Sequence, residues 1–290
     1  MHKRPKGSVF DMPSDPLLDR LTSALAEVAG VEAIVLGGSR ARGTDHAASD
    51  YDIGLYFSET QALDTDRLAA VARTLVDDSD AAGVTLVGDW GPWIVGGAWL
   101  AIEGRKVDLL YRNIEAVARV IAACRAGDIT MHYQPGHPHG FCSAIWMGEV
   151  ALCRPLHDPR QTIAKLKAAT LPYPPGLREA LIRRFLWEIL FAIENAELAA
   201  SRGEQTHVAG CAYRAFACLA QVLFALNARY LINEKGALQE AAGFALTIPS
   251  LMPRVGETWR QIGETRFATA LTILREIDRD VHALAAQPSA

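Results

Sequence analysis

The sequence is short of several things, and each shortage narrows what the chain can be. It carries five cysteines in 290 residues, an odd number, with no CxxC pair among them. That pattern argues against a disulfide framework and against a zinc site built on thiolates. Cys124, Cys142, Cys153, Cys211 and Cys218 read instead as small buried hydrophobes, with Cys211 and Cys218 seven apart on one helical face. There is no excess of positive charge: 29 Lys and Arg stand against 33 Asp and Glu, a formal net charge of −4. A general binder of nucleic acid needs a basic footprint, so that class is disfavoured, although a local basic patch remains open. No segment approaches the roughly 20 consecutive apolar residues of a membrane helix; the longest run lies near "LAQVLFAL". The N-terminal "MHKRPKGSVFDMPSD" starts basic but has no apolar run behind it, unlike a secretory signal. The expected setting is the cytoplasm, with no membrane partner. Internal repeats and low-complexity tracts are absent as well.

What is there is a globular composition, 50% hydrophobic and 21% charged, with material for one large domain or two ordinary ones. Residues 15–29 have helical periodicity, with Asp15 as cap and Pro16 at the first helical position. "VEAIVLGG" reads as a short buried strand ending in glycines, "SRARG" as a helix start, "YDIGLYF" as a second strand and "DTDRLAAVARTLVDD" as a helix. "GVTLVG" is a strand candidate, and "GAWLAIEGRKVDLLYR" a hairpin turning at Glu103-Gly104. Strands interleaved with helices make this half α/β. Beyond about residue 113 the strand signals stop. Helices are expected at 113–127, 143–152 and 160–170, then at 177–202 and 206–232. "DITMHYQPGHPHGF", "RPLHDP" and "TIPSLMPRVGE" read as loops or turns.

The chemistry concentrates in "VLGGSRARGTDHAASDYDIGLYF", residues 35–57. Side chains two apart on a strand share a face, so Asp50 and Asp52 point the same way while Ile53, Leu55 and Phe57 fill core positions. Like charges so placed repel, and hard divalent cations are the natural offset: magnesium takes carboxylate and phosphate oxygens. A pair of such ions can clamp the attacking and leaving oxygens of a phosphoryl transfer. Ahead of the carboxylates, Gly37 and Gly38 allow a sharp turn and a close approach to a ligand. Ser39 stands at the helix start, where free backbone N–H groups favour an anion. Arg40 and Arg42 add positive charge, and Ser49 sits beside the acids. Either element alone is often only a turn or a solubility feature. A further acid, Asp108 in the apolar "KVDLLY", is costly on a buried strand unless paired or metal-bound.

Leu36, Gly37-Gly38-Ser39, a spacer, and Asp50-Tyr51-Asp52 resemble the signature of the polymerase β-like nucleotidyltransferase superfamily, and Asp108 stands where that family places its third carboxylate. The resemblance covers about residues 31–112. It implies an α/β nucleotidyltransferase domain (a mixed sheet with flanking helices) over 1–113 and an all-α helical-bundle domain over 114–290, the plan of small antibiotic nucleotidyltransferases. It implies Asp50, Asp52 and Asp108 as catalytic ligands of two Mg²⁺ ions. Gly37, Gly38, Ser39, Arg42 and Ser49 would lie around an NTP, most simply ATP, with pyrophosphate leaving. By similarity to streptomycin/spectinomycin-type adenylyltransferases, Lys235 in "NEKG" is the candidate for a lysine reaching the triphosphate; its other reading is a helix end.

The acceptor side is less legible. A hydroxyl acceptor needs a base near it. Glu188 is one candidate, with Arg184 at i−4 and Asn195 at i+7 on nearly the same stripe; an ordinary pair with Arg184 is the alternative. Asp108, Glu149 and Asp89 are others. Trp90, Trp93 and Trp99 either stack a ring or pack the sheet. His137 and His139 in "GHPHGF" contact metal or phosphate, or are simply exposed. Arg202 and His207, five apart near an interhelical turn, match the spacing of some RNA-cleaving helical domains. The expected partners are an NTP and a small-molecule acceptor such as an aminoglycoside or lincosamide, in a monomer or homodimer. The alternatives are a toxin–antitoxin enzyme acting on tRNA or protein, and a nucleotide-binding module without catalysis.

Overall fold

The computed structural model describes residues 15–287. The N-terminal stretch read above for a secretory signal lies outside the described residues.

Helix α1 (Pro16–Ala26) starts where the sequence places it: Asp15 Oδ1 accepts from the Leu17 N–H at 3.0 Å and the Leu18 N–H at 3.4 Å, and Pro16 needs no donor there. It buries Leu17, Leu18, Leu21 and Leu25. Strand β1 (Ala33–Leu36) leads into the five-residue helix α2 (Gly38–Arg42), and β2 (Tyr51–Phe57) follows. Helix α3 (Thr65–Leu75) returns to the hairpin of β3 (Gly97–Ile102) and β4 (Arg105–Asn113). At the turn Glu103 and Gly104 both take positive φ, +54° and +69°, as a tight two-residue hairpin requires. The Asp77 carboxylate fixes that turn by accepting from both N–H groups, at 2.7 and 2.8 Å. "GVTLVG" does not become a strand; it contributes one isolated bridge, Val84 to Ala98.

The chain continues through α4 (Ile114–Arg125), a two-residue pair β5 (Met131–His132) and β6 (Phe141–Cys142), α5 (Ala144–Leu152) and β7 (Arg154–His157). Then come α6 (Thr162–Thr170), α7 (Pro175–Ala200), α8 (Gln205–Leu226), α9 (Ala237–Ala242), α10 (Leu251–Gly263) and α11 (Phe267–Ala285). The main sheet has the order β3-β4-β2-β1-β7; β2 and β4 are parallel and the other neighbours antiparallel. The expected α/β half followed by a helical region is therefore what the chain forms.

Three local expectations are corrected. Strand signals do not stop at 113, because "RPLH" is not a turn but edge strand β7, paired antiparallel with β1. Pro155 is tolerated there because an edge strand has N–H groups to spare. "SLMPRVGE" is helical: with α10 beginning at Leu251, Pro253 falls in the first turn, where its missing N–H costs nothing. Helix α8 stops at Leu226, six residues short of the expected 232, and the freed segment carries Lys235. α8 is also long and apolar enough to cross a membrane by length and composition, which reading the apolar run alone did not anticipate; 72% of its most apolar window is buried inside the fold.

The strand alternation divides the core in two. Ile34, Leu36, Ile53, Leu55, Val107, Leu109 and Tyr111 face α1 and α3. Ala33, Val35 and Tyr56 point the other way, into the apolar core of the helical region. By the same period-2 rule Asp52, Gly54, Asp108, Leu110 and Arg112 lie on the face turned toward the helical region. The candidate site is consequently at the junction of the two halves.

Candidate active site

Four strands contribute to one transverse row. The Gly37 N–H donates to the Asp52 carbonyl at 2.7 Å, Asp52 is the register partner of Asp108, and Asp108 that of Trp99. Register partners show their side chains on the same face, about 4.5–5.5 Å apart at Cβ. The row therefore reads glycine turn, carboxylate, carboxylate, indole, from β1 to β3.

The glycine turn is built around Asp52. Gly38 has φ +60°, and a Cβ placed on it would stand 1.8 Å from Asp52 Oδ2. Only glycine fits, for the backbone conformation and for the room. Helix α2 behind it has five residues, so its dipole is small. Arg40 organises the loop that follows. Its guanidinium donates to the Ser49 carbonyl at 2.7 Å and the Asp50 carbonyl at 3.2 Å, and lies over the Tyr51 ring at 3.9 Å. The Ser49 hydroxyl accepts from the His46 N–H at 3.0 Å.

Electrostatically the three acids form one group. Burial, then the charges of Asp108, Asp50 and Glu149, push the Asp52 carboxyl up to about 6, with Lys235 pulling the other way. Burial and then Asp50 raise Asp108, offset by Lys106 and Lys235. The structure thus brings Asp50, Asp52, Asp108 and Lys235 within electrostatic reach of one another, although Lys235 is exposed. Among the described residues no three His, Cys, Asp or Glu side chains converge closely enough to hold a metal ion by themselves. Carboxylates such as Asp52 and Asp108, whose ionisation is opposed first by burial and then by neighbouring negative charge, are still suited to a hard cation that brings further oxygen ligands with it, as magnesium does with phosphate.

The row opens into a cavity of about 200 Å³ lined by Gly37, Gly38, Asp52, Arg112, His137 and Glu149, among others. Sequence reasoning missed Arg112. It is 3% exposed, and its Nε and Nη2 donate to the two oxygens of Glu149, both at 2.8 Å. The available signal was the strand period itself, since Asp108, Leu110 and Arg112 share a face. Glu149, a candidate base, is committed to this pair.

Other expected residues have partners of their own. Arg42 pairs with Glu240 of α9 at 3.1 Å. Glu188 does not pair with Arg184: Arg214 of α8 holds it, Nε donating to Oε1 at 2.7 Å, in a groove of about 800 Å³ between α7 and α8 that shares no lining residue with the cavity above. Arg214 also donates to the His139 carbonyl at 2.7 Å. His139 is buried, and burial followed by the Arg214 charge lowers its pKa to about 4. His137 approaches Glu234 at 3.7 Å and lines the cavity. His207 lines the α7–α8 groove, but Arg202 is exposed and near Glu204, at 3.9 Å. Cys211 is only part-buried there, unlike Cys218. Asp89 accepts from the Leu86 N–H at 2.9 Å within its own loop. Trp93 packs against Phe141 and Trp146, whereas Trp90 and Trp99 stack on each other.

Comparison with known proteins bears on this geometry. Residues 18–121 match a family model described as a nucleotidyltransferase domain. Curated protein sequences give no match. Among solved structures, a nucleotidyltransferase-like protein from Exiguobacterium sibiricum 255-15 overlays with a TM-score of 0.41 at 12% identity, over 90% of this chain and 72% of that one.

Proposed function

We propose that the chain is a nucleotidyltransferase of the polymerase β-like kind that transfers a nucleoside monophosphate, AMP from ATP, to a hydroxyl of a small-molecule acceptor and releases pyrophosphate; the match of residues 18–121 to a nucleotidyltransferase domain supports this. The observation that carries this is the row Gly37–Asp52–Asp108, with Gly38 pressed against the Asp52 carboxylate.

The residues divide the work by position. The turn would offer the backbone N–H groups of Gly38 and Ser39 to the phosphates, the Gly37 N–H being held by the Asp52 carbonyl. Lys235 reaches the same charge field from the helical side and would neutralise the triphosphate. Asp50, Asp52 and Asp108 would hold magnesium jointly with phosphate oxygens, and magnesium bound there would offset charge developing on the α-phosphate. The acceptor oxygen attacks phosphorus as the bond to the leaving pyrophosphate breaks. Its proton goes to a carboxylate on the acceptor side of the row; Asp108 is in place, while Glu149 is engaged by Arg112 and Glu188 by Arg214. Catalysis of this kind comes chiefly from positioning and charge stabilisation.

A mildly acidic chain with a carboxylate-lined site suits a cationic acceptor such as an aminoglycoside or lincosamide-type antibiotic better than tRNA. The test is pyrophosphate release with Mg²⁺ and each NTP against aminoglycosides, lincosamides, tRNA and protein, with Asp52→Asn as control. Acceptor-dependent release that vanishes in the variant supports the reading. Failure of the wild-type protein to bind any NTP with Mg²⁺ overturns it.

A further inference from the structure

The end of the row opposite the glycine turn has no role in the mechanism so far. Trp99 occupies it, on β3, the terminal strand of the sheet, directly across from Asp108. Its neighbours Ala98 and Leu100 point into the core, so Trp99 stands on the carboxylate face. It is 67% exposed, unusually open for the largest side chain. It is not loose, because Trp90 backs it: the two rings stack with centroids 4.5 Å apart and planes 20° from parallel.

The backing is constructed. Gly97, two residues before Trp99 on the same face, leaves the space that Trp90 fills; a Cβ there would stand 2.9 Å from the Trp90 ring and 1.9 Å from the Leu109 carbonyl. The Trp90 backbone carbonyl accepts from the buried Gln134 side chain at 3.2 Å. Trp93, three residues on, anchors the loop by packing against Phe141 and Trp146. One face of the Trp99 indole is thus covered and held, and the other is bare.

Direction decides what the bare face is for. In-line displacement puts the attacking and leaving oxygens on opposite sides of phosphorus. With the leaving pyrophosphate toward the glycine turn, the nucleophile must come from the Asp108 side, and Trp99 is the next group along the row. We propose that the free face of Trp99, backed by Trp90, is the stacking platform for the ring of the acceptor, and that it selects a ring-bearing, cationic polyol; this rests on the reading of the site as a nucleotidyltransferase. An indole face attracts a desolvated cation as well as a ring, and Asp50, Asp52 and Asp108 add negative charge alongside, partly offset by Lys106 and Lys235.

The test is titration of the full chain with kanamycin and lincomycin, read in every variant by the heat of binding and in the wild-type chain also by quenching of indole fluorescence, without nucleotide and then with ATP and Mg²⁺. The variants are Trp99→Ala and Trp99→Phe, and ATP affinity is measured separately. Expected are saturable quenching in the wild-type chain and a five- to tenfold weaker acceptor affinity in Trp99→Ala. Trp99→Phe should recover most of that affinity, and ATP affinity should stay unchanged. In turnover the acceptor KM should rise far more than kcat falls. No saturable quenching by either compound overturns the proposal, as does a loss in Trp99→Ala confined to ATP, which would assign the platform to the nucleotide base. Quenching by tRNA alone overturns it in favour of a nucleic-acid acceptor. Acceptor binding is read without nucleotide, so a chain that binds kanamycin through Trp99 but never binds ATP would fail the proposed reaction and not the platform.

Discussion

Asp52 Oδ2 occupies the place where a side chain on Gly38 would begin, 1.8 Å from an ideal Cβ. The carboxylate and the glycine turn are therefore one unit. Gly38→Ala must move one of them and must also hold alanine at φ +60°, a conformation that costs about 1 kcal/mol. The expected outcome is a drop in kcat/KM of about a hundredfold or more, against a loss of stability of only about 1–3 kcal/mol, since misplacement of a catalytic group by ~1 Å costs about that much in rate. Urea melts and steady-state pyrophosphate release on the same preparation separate the two. Equal, small losses in both would show that Asp52 relaxes freely.

The carboxylates of Asp52 and Asp108 repel each other across the strand pair. Removing one charge relieves that repulsion, so Asp52→Asn should abolish turnover, by about a thousandfold or more, without lowering the metal-free melting temperature at neutral pH. Magnesium should raise the melting temperature of the wild-type chain, by linkage, and should not raise that of the variant. A magnesium-dependent rise of the same size in both would remove Asp52 from the metal site.

His139 gives a pH dependence of definite sign. It is neutral in the folded state down to about pH 4, because burial and then the Arg214 charge oppose protonation, whereas in the unfolded chain it takes a proton near 6.5. Between those values the unfolded state binds the extra proton. Stability therefore falls as pH drops from about 6.5 to about 4, by at most ~3 kcal/mol from this residue. The loss is complete below about pH 4 and absent above about 7. His139→Gln should flatten that limb of a plot of unfolding free energy against pH. An unchanged slope would show that His139 titrates normally.

Much of this arrangement is legible in the chain because it is local. Asp50 and Asp52 share a face by period alone, Gly37-Gly38 precede them, and the Glu103-Gly104 turn brings Trp99 opposite Asp108. The fold class and the family resemblance, which rest on these same stretches, are borne out. What escaped reading depends on partners far away in sequence. β7 looks like a turn because Pro155 and an unalternating "RPLH" suit an edge strand as well as a loop. Glu188 looks paired with Arg184 because that neighbour is visible along the helix, whereas Arg214 arrives from the next helix. The partner of Arg42, Glu240, lies 198 residues away and could not be read beside it.

Arg112 and Glu149 show the same distance problem and a measurable asymmetry. The pair joins the sheet to α5 through two 2.8 Å bonds, but Arg112 is 3% exposed and Glu149 29%. Deleting the acid strands a charge that cannot reach water; deleting the base leaves an acid that can. Glu149→Met should therefore cost about 3–5 kcal/mol, the range for an uncompensated buried charge. Arg112→Met should cost less, about 1–3 kcal/mol, mainly from the unpaired polar group. The double variant should lose less than the sum of the two, because it leaves neither charge behind. Urea unfolding of the four proteins closes the cycle. Additive losses, or a costlier Arg112→Met, would mean that the buried guanidinium has another outlet and that the pair is not what ties the two halves together beneath the site.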